Sequence, residues 1–516
     1  IIKNSDLPKG EIQLPAVRAM RRKRRIATNI VYKWKSRLNL GGHKMIAGKH
    51  YDQTYAPTLS WATIRLFLIL SIVHGWHTRQ LDFVLAYPQA DIPRPTYMDL
   101  PVGLKYKDSN GQIIDPNTHC LHVKKNLYGG KDSGRTWFQH LRQRLITPIA
   151  DGGLGFEQSE HDECVFYRRT TVLLVYTDDC IVFDTQSQDN IDTLLQQMKK
   201  LFDVEDEGDL NDYLGIQISR EDNGEISLTQ PQLITSILID LGLLDEHGNE
   251  LPQKPNIQET PMNSTNALGP DVGGEPFEYE WNYRGVIGKL NFLEKSTRPD
   301  ISAATNTCAR FMQAPTKKHG EAVKRIGRYL LGTRDKGIYL KPNKRRGFEC
   351  YVDADFCGGW DKDIAMDQPD TAKSRYGYIV KVYNAPIYWS SRLQTIIALS
   401  TAESEYIGLS NAARYLLGTI YLMEEINAKF HPLKAKPTIK CTIFEDNNSA
   451  LEIAKVPKMR PRTRHINVQY HHFRNEVASG RMAVERIDTT NQEADMLTKS
   501  LNQDTLQKLR NMVMGW

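Results

Sequence analysis

The sequence contains no C-x-x-C pair. Its seven cysteines are scattered, and the closest two, Cys350 and Cys357, give no zinc spacing. His161-x-x-Cys164 has no second pair, so a buried structural cysteine is the better reading there. An odd, scattered set fits a reducing compartment. No apolar run is long enough for a bilayer: the most apolar segment, residues 66–73, is too short to span one. A secretory leader is also missing. The first residue is Ile1 rather than Met, which reads as a piece of a larger product. Net charge is only +6, a small bias towards anionic partners.

What is present is ordinary in bulk and informative in detail. At 516 residues, 40% hydrophobic and 25% charged, the chain is too long for one core and is expected to form three or more globular parts. Basic residues cluster in Arg21-Arg22-Lys23-Arg24-Arg25 and in Lys458-Met459-Arg460-Pro461-Arg462-Thr463-Arg464-His465. Each is a solvated face, a localisation signal or a nucleic-acid contact.

Tyr176-Thr177-Asp178-Asp179 lies between the apolar runs 172–175 and 181–183, a pattern predicting two buried strands with an acidic pair at their turn. Adjacent carboxylates repel and raise each other's pKa. A divalent cation removes that cost, and oxygen-rich sites suit Mg²⁺ shared with substrate phosphates. Metal-assisted phosphoryl transfer on nucleotides follows as the expectation. A two-metal site needs a third carboxylate from another strand. Asp82, in Gln80-Leu81-Asp82-Phe83-Val84-Leu85-Ala86-Tyr87, is the candidate, reached after an amphipathic helix expected over 62–73. Tyr87 would lie beneath the incoming sugar and exclude a 2′-hydroxyl; a packed core tyrosine is the equal alternative.

Other strings bear a family likeness. Val31-Tyr32-Lys33-Trp34-Lys35-Ser36-Arg37-Leu38 resembles V-Y-K-x-K-A-R-L, and Tyr51-Asp52-Gln53-Thr54-Tyr55-Ala56-Pro57 resembles Y-D-E-T-F-A-P. Lys125-Asn126-Leu127-Tyr128-Gly129-Gly130-Lys131 resembles K-S-L-Y-G-L-K, and Tyr213-Leu214-Gly215-Ile216 resembles F-L-G-I. In this order, with Y-x-D-D, they resemble the reverse transcriptase of copia-type LTR retrotransposons over most of the chain. The resemblance implies that Asp82, Asp178 and Asp179 hold two Mg²⁺ ions, with Mn²⁺ as a substitute. It also implies that Lys35 and Arg37 clamp the triphosphate, and that Tyr128 and Gly129 line the nucleotide pocket. Tyr213, Leu214 and Gly215 would form the turn gripping the primer. Lys131-Asp132-Ser133-Gly134-Arg135-Thr136-Trp137 departs from the family's K-Q-A-P-R-x-W, and loss of the proline beside a gained acid is expected to loosen that loop.

Residues 256–274, rich in Pro, Gly, Asn and Ser, read as a linker or long loop. Beyond them Tyr283-Arg284-Gly285-Val286-Ile287-Gly288-Lys289-Leu290 and Thr297-Arg298-Pro299-Asp300 resemble a stretch that follows the copia polymerase. Ala322, Val323, Ile326, Tyr329 and Leu330 fall at helical spacing, as in a thumb or connection.

A second acidic set follows Cys350. Acids stand at a strand end in Tyr351-Val352-Asp353-Ala354-Asp355, at a helix start in Ser400-Thr401-Ala402-Glu403-Ser404-Glu405-Tyr406, and past a strand in Ile443-Phe444-Glu445-Asp446. Another stands in Glu493-Ala494-Asp495-Met496-Leu497-Thr498-Lys499, expected on a C-terminal helix. Four acids from such elements suggest a two-metal ribonuclease H site. The resemblance selects Asp353, Glu405, Asp446 and Asp495 as ligands, leaving Asp355, Glu403 and Glu445 as exposed or flanking neighbours. Arg464-His465-Ile466-Asn467 and Tyr470-His471-His472-Phe473 resemble K-H-I-D and R-Y-H-F, where a structural or hybrid-contacting role is expected.

The expected fold is α/β and α+β multidomain, a right-hand polymerase of fingers, palm and thumb followed by a ribonuclease H-like mixed-sheet domain. The expected boundaries are a basic segment at 1–30, fingers and palm at 31–225, thumb or connection at 226–345 and the nuclease at 346–516. The partners implied are an RNA template, a DNA primer, dNTPs, the RNA–DNA hybrid and the protease and integrase of a polyprotein, with no membrane. The implied location is a cytoplasmic retroelement particle or the nucleus. One rival is a decayed or co-opted copy that binds nucleic acid without turnover. Another keeps only the C-terminal fold as an integrase-like or resolvase-like nuclease, which the separate Asp82 and Asp178–Asp179 set disfavours.

Overall fold

The computed structural model describes residues 1–24, 30–108, 110–221, 224–263, 268–430, 439–455, 466 and 468–516. The basic stretch 458–465, Arg25, His465 and Asn467 lie outside the described residues. The chain forms two compact units, one of Ile1–Leu59 with Trp76–Leu210, the other of Ser60–Gly75 with Asn211–Trp516. These divisions differ from the expected boundaries: residues 60–75 and 211–225 leave the span read as fingers and palm.

In the first unit, Ala16–Arg24 and Val31–Leu40 pair as a two-stranded antiparallel ribbon. Residues 16–24 of the segment read as basic therefore form one strand of this ribbon. Arg21 faces Lys35 and Ala19 faces Arg37, so these cations share one face. Leu40 at the ribbon's base joins a core with Leu14, Met45, Met98 and Val123.

A six-stranded sheet runs in the order Val204–Gly208, His77–Phe83, Asp179–Asp184, Thr171–Tyr176, Val165–Arg168, Glu157–Gln158, every neighbour antiparallel. Thr171 to Val175 are all buried, which continuous β-branched and aliphatic sequence permits only in a strand covered on both faces. The helix Gln188–Met198 buries Ile191, Leu194, Leu195 and Met198 at helical spacing, and the Ser187 hydroxyl accepts from Asn190 N (3.3 Å) as its cap. The expected long strand through Tyr87 is shorter: it ends at Phe83, and Tyr87 sits on the helical turn Ala86–Gln89.

The second unit corrects another expectation. Trp61–His74 is a helix, but it is buried on nearly every side rather than amphipathic. Even Arg65 is buried, donating to the carbonyls of Ile387 (2.9 Å), Lys295 (2.8 Å) and Ser296, with the Trp389 ring 4.2 Å away. Carbonyls and an indole face thus replace water around this charge.

A five-stranded mixed sheet forms the centre of this unit. Ala385–Leu393, Arg375–Val382 and Phe348–Asp355 are antiparallel; Cys441–Glu445 and Met482–Arg486 continue in parallel. The 30-residue helix Thr401–Phe430 packs across Phe348–Asp355 and Arg375–Val382. A separate four-stranded sheet, Asp212–Tyr213, Ile216–Arg220, Ile226–Thr229 and Ile338–Leu340, accompanies the helices Pro231–Asp240, Tyr283–Ser296 and Lys317–Gly332. Val323, Ile326, Tyr329 and Leu330 are buried on the last, as their spacing predicts. Among the described residues, no helix is long and apolar enough to cross a membrane. All seven cysteines are free.

Glu294 supplies a pH test of this packing. Burial pushes its carboxyl up to about 7, despite the hydrogen bond from Ser302 Oγ (2.6 Å). The unfolded value is near 4, so the stability tied to this group is full below that value and lost as pH rises through 7. Glu294→Gln is expected to match the parent at pH 4 and to be more stable by up to about 3 kcal/mol at pH 8, read from paired denaturation curves.

Candidate functional site

Two acidic nests form, one in each unit. In the first, Tyr176 pairs with Asp179 to close the hairpin, Thr177 adopts a left-handed φ of 59°, and Asp178 occupies the turn. The turn is fastened from outside: Phe83 N donates to Asp178 O (2.8 Å) and Trp137 Nε1 to Thr177 O (2.7 Å). Trp137 and Phe202 meet Phe83 edge-on, each at 5.2 Å.

Register then aligns the acids. Asp179 lies directly opposite Asp82, and Asp82 directly opposite Glu205 on its other side. Directly opposed residues share a sheet face, so the three form a row. A register shift between Asp206 and Gly208 leaves Glu207 beside this row. The oxygens that converge within 4.8 Å of one another are those of Asp82, Glu205 and Glu207. This set shares only Asp82 with the expected Asp82, Asp178 and Asp179. Sequence reading missed Glu205 and Glu207, although the unbroken acidic run Glu205-Asp206-Glu207 after Val204 was a visible signal.

The aromatic and basic residues of the expected nucleotide site gather beside Asp178. The Tyr87 and Tyr128 rings lie 4.8 Å apart, and the Arg37 guanidinium sits over Tyr128 at 4.9 Å. Burial and then Asp178 push both phenols up. Arg37 Nε is buried without a hydrogen-bond partner among the described residues. Lys35 is two residues along the same strand, on the same face. Leu40 N donates to Tyr128 O (2.7 Å), drawing the ribbon's base against Tyr128-Gly129. Gly129 has a φ of 92°, and a Cβ there would collide with the Leu40 carbonyl. Gly129→Ala is therefore expected to cost at least about 2 kcal/mol. Gly152→Ala, also at positive φ but with open space around it, should cost about 1 kcal/mol. Urea denaturation of both variants checks the pair.

The divergent stretch after Lys131 is not a loosened loop. The helix Ser133–Ile146 begins there, Asp132 is buried just before it, and burial pushes its carboxyl up. A Cβ on Gly134, where the family has proline, would stand 3.4 Å from the Tyr87 hydroxyl. Tyr213, Leu214 and Gly215 do form a hairpin turn, with φ of 51° at Leu214 and 79° at Gly215, but in the other unit. The Tyr213 side chain is wholly buried, edge-on to Trp61 at 6.2 Å, so only the turn itself faces outward chemistry.

The second nest is assembled by parallel register. Tyr351 pairs with Phe444, so two residues further on Asp353 comes level with Asp446. Glu405 enters from the first turns of Thr401–Phe430, capped by Ser400, whose hydroxyl accepts from Glu403 N (3.2 Å). Oxygens of Asp353, Glu405 and Asp446 all lie within 4.8 Å of one another. Asp495 arrives on the 3-10 turn Glu493–Leu497, not on the expected α-helix. Two bonds pin that turn to the sheet: Gln492 Nε2 donates to Val352 O (2.8 Å) and the buried Lys381 to Glu493 (2.9 Å).

Lys499, absent from the expected site, bridges Asp353 (2.9 Å) and Asp495 (2.7 Å), and the Thr498 hydroxyl donates to Asp353. Burial, then Glu445 and Asp353, pushes the Glu405 carboxyl well up; burial and then Asp353 raise Asp495 to about 7. Among the described residues, Glu405 Oε2 and Glu445 Oε2 are buried without partners. Crowded, desolvated carboxylates with an orphaned oxygen are what a divalent cation would relieve.

The flanking acids are less exposed than expected. Glu403 is buried and accepts from Leu399 N (2.7 Å), and Glu445 is buried and accepts from Asn447 N (3.0 Å). Asp355 is half-buried, with its carboxyl raised by burial and Asp353. His471 Nδ1 meets the Tyr406 hydroxyl (2.8 Å) and His472 Nε2 the Ser410 carbonyl (3.1 Å), which are structural contacts.

A family model described as reverse transcriptase (RNA-dependent DNA polymerase) matches residues 3–255. The chain is 32% identical over 488 residues to the retrovirus-related Pol polyprotein from transposon RE1 of Arabidopsis thaliana, covering 93% of this chain and 30% of that protein. Identity to the corresponding polyprotein from transposon TNT 1-94 of Nicotiana tabacum is 28% over 519 residues, covering 98% of this chain and 36% of that one. The chain thus spans about a third of the length of these relatives.

Proposed function

The chain belongs to the Pol polyproteins of copia-type retrotransposons and carries their reverse transcriptase domain, and from that we propose an RNA-directed DNA polymerase joined to a nuclease for the RNA strand of RNA–DNA hybrids. The observation that carries the polymerase reading is the register setting Asp82 beside Asp179 at a fastened hairpin turn, within the matched residues.

Asp82, Asp178 and Asp179 would hold two Mg²⁺ ions, with Glu205 and Glu207 at hand for the same charge. Bound ions would activate the primer 3′-oxygen and steady the pyrophosphate leaving group. The residues do the rest. Arg37 and Lys35 present donors from one ribbon face to the triphosphate, and the planar guanidinium suits bidentate contact. Tyr87 and Tyr128 form a paired ring surface for the sugar and base, and Gly129 keeps that surface close to the ribbon.

For the nuclease, support comes from the buried, unpartnered Glu405 oxygen beside Asp353 and Asp446 at the end of a mixed sheet. Asp495 would be the fourth ligand. The pairing of activities is chemically coherent, since one nest makes a hybrid and the other removes its template. The protease and integrase of a longer polyprotein are the proposed partners. Incorporation of dNTPs on primed RNA and cleavage of a labelled hybrid test the two halves separately, with Mg²⁺ or Mn²⁺ supplied. Binding of the hybrid without either turnover would favour a co-opted copy.

A further inference from the structure

The second nest is not symmetric in its charge. On one edge, the Lys499 ammonium lies 2.9 Å from Asp353 and 2.7 Å from Asp495, closer to both than any other cationic group among the described residues. On the other edge, Glu405 keeps a buried oxygen with no partner among the described residues, although oxygens of Asp353, Glu405 and Asp446 converge within 4.8 Å. Among the described residues no lysine or arginine pairs with Glu405 or Asp446.

We propose that Lys499 holds the place of one of the two cations, so that the nest fills in order. The Asp353–Glu405–Asp446 position takes a divalent ion first; the Asp353–Asp495 position takes one only as the ammonium withdraws. The inference rests on the nuclease reading above.

Three features support it. Asp353 is wholly buried and is common to both positions, so its charge must always be met by some cation. A lysine meets it with one charge on a flexible four-carbon stem, where a divalent ion would bring two. The Lys499 side chain is 34% exposed, while Asp353 and Asp495 are 1% and 10% exposed, so the ammonium has a path to water that its partners lack. The Thr498 hydroxyl on Asp353 and the Gln492 anchor on Val352 hold the carboxylates in place independently of the lysine. Lys499 is thus a placeholder that keeps the metal-free nest from flying apart and makes the second ion weaker than the first.

The test is Mn²⁺ titration calorimetry on the full chain, with Asp82→Asn, Asp178→Asn, Asp179→Asn, Glu205→Gln and Glu207→Gln in the background to silence the first nest. Two binding steps of unequal strength are expected. Lys499→Gln should tighten the weaker step at least tenfold and leave the stronger within twofold. Unchanged steps, or equal shifts in both, would overturn the inference while leaving the nuclease reading in place. Absence of any Mn²⁺ binding would overturn that reading itself, and the inference with it. A measurement on native Lys499 guards against a variant that does not fold. Amine acylation followed by peptide mass analysis should label Lys499 slowly in EDTA and at least fivefold faster at saturating Mn²⁺. Equal labelling in both conditions would refute the exchange.

Discussion

Asp178→Asn is expected to lower dNTP incorporation on primed RNA by at least about a thousandfold, with hybrid cleavage and folding unchanged. Asparagine keeps the shape of the side chain and removes its charge. The backbone bonds that fasten the turn, Phe83 N to Asp178 O and Trp137 Nε1 to Thr177 O, do not involve the carboxylate, so the hairpin should persist. What is lost is anionic coordination where charge develops on transferring phosphate, an effect worth several kcal/mol. A thousandfold corresponds to about 4 kcal/mol. Glu205→Gln is the informative companion. Glu205 stands opposite Asp82 and converges with it and Glu207, so it competes with Asp178 and Asp179 for the role of working ligand. If single-nucleotide extension falls only in Glu205→Gln, the working set is the one read from register. If Asp178→Asn extends within threefold of the parent, the hairpin assignment is wrong.

That competition marks where sequence reasoning ran out. The hairpin was legible because two apolar runs flank a two-residue turn, and a strand buried on both faces leaves no other pattern. Asp82 was legible as a lone acid in a similar run. The neighbour on its far side was not. Val204–Gly208 is short and acid-rich, carries a register shift, and is a strand only because it pairs with His77–Phe83. Pairing is a tertiary fact that local composition does not encode. The same limit explains residues 62–73: they read as an amphipathic helix, but the helix is buried on nearly every side, and nothing local announced that Arg65 would be received by three carbonyls and an indole. In the second nest, Asp353 and Asp446 were visible as acids at strand ends, but only the parallel register brings them level. Choosing Glu405 over Glu403 needed the family likeness. The structure supplies a physical reason: Glu403 is spent on the Leu399 amide at the helix start, whereas Glu405 retains an unpartnered oxygen. Lys499 escaped notice because a lysine four residues past an acid is an ordinary surface pair, and its second partner, Asp353, lies far away in sequence.

Asp353→Asn should produce the second large effect, loss of RNA cleavage in a labelled hybrid by at least about a thousandfold, with dNTP incorporation within twofold of the parent. Asp353 is the residue shared by both halves of the second nest, touching Lys499 and Thr498 on one side and converging with Glu405 and Asp446 on the other. Neutralising it removes a ligand from both proposed ion positions, so the several kcal/mol of transition-state stabilisation expected from bound metal would be lost. Folding should not be the cause. Asp353 is among the charges that raise Glu405, Glu445 and Asp495, so deleting its charge relieves repulsion in the metal-free protein while Lys499 keeps its bond to Asp495. The melting temperature in EDTA is therefore expected to stay level or rise, and the further gain expected of the parent on adding Mg²⁺ to shrink. A parent that melts identically with and without Mg²⁺, or an Asp353→Asn protein that still cuts the hybrid at the parental rate, would remove the nuclease half of the proposal. The two acid sets belong to different compact units, so polymerisation by the same variant is the internal control. If incorporation collapses together with cleavage, the variant has damaged the fold rather than the nest, and Glu405→Gln, which removes a charge without touching Lys499 or Thr498, becomes the deciding substitution.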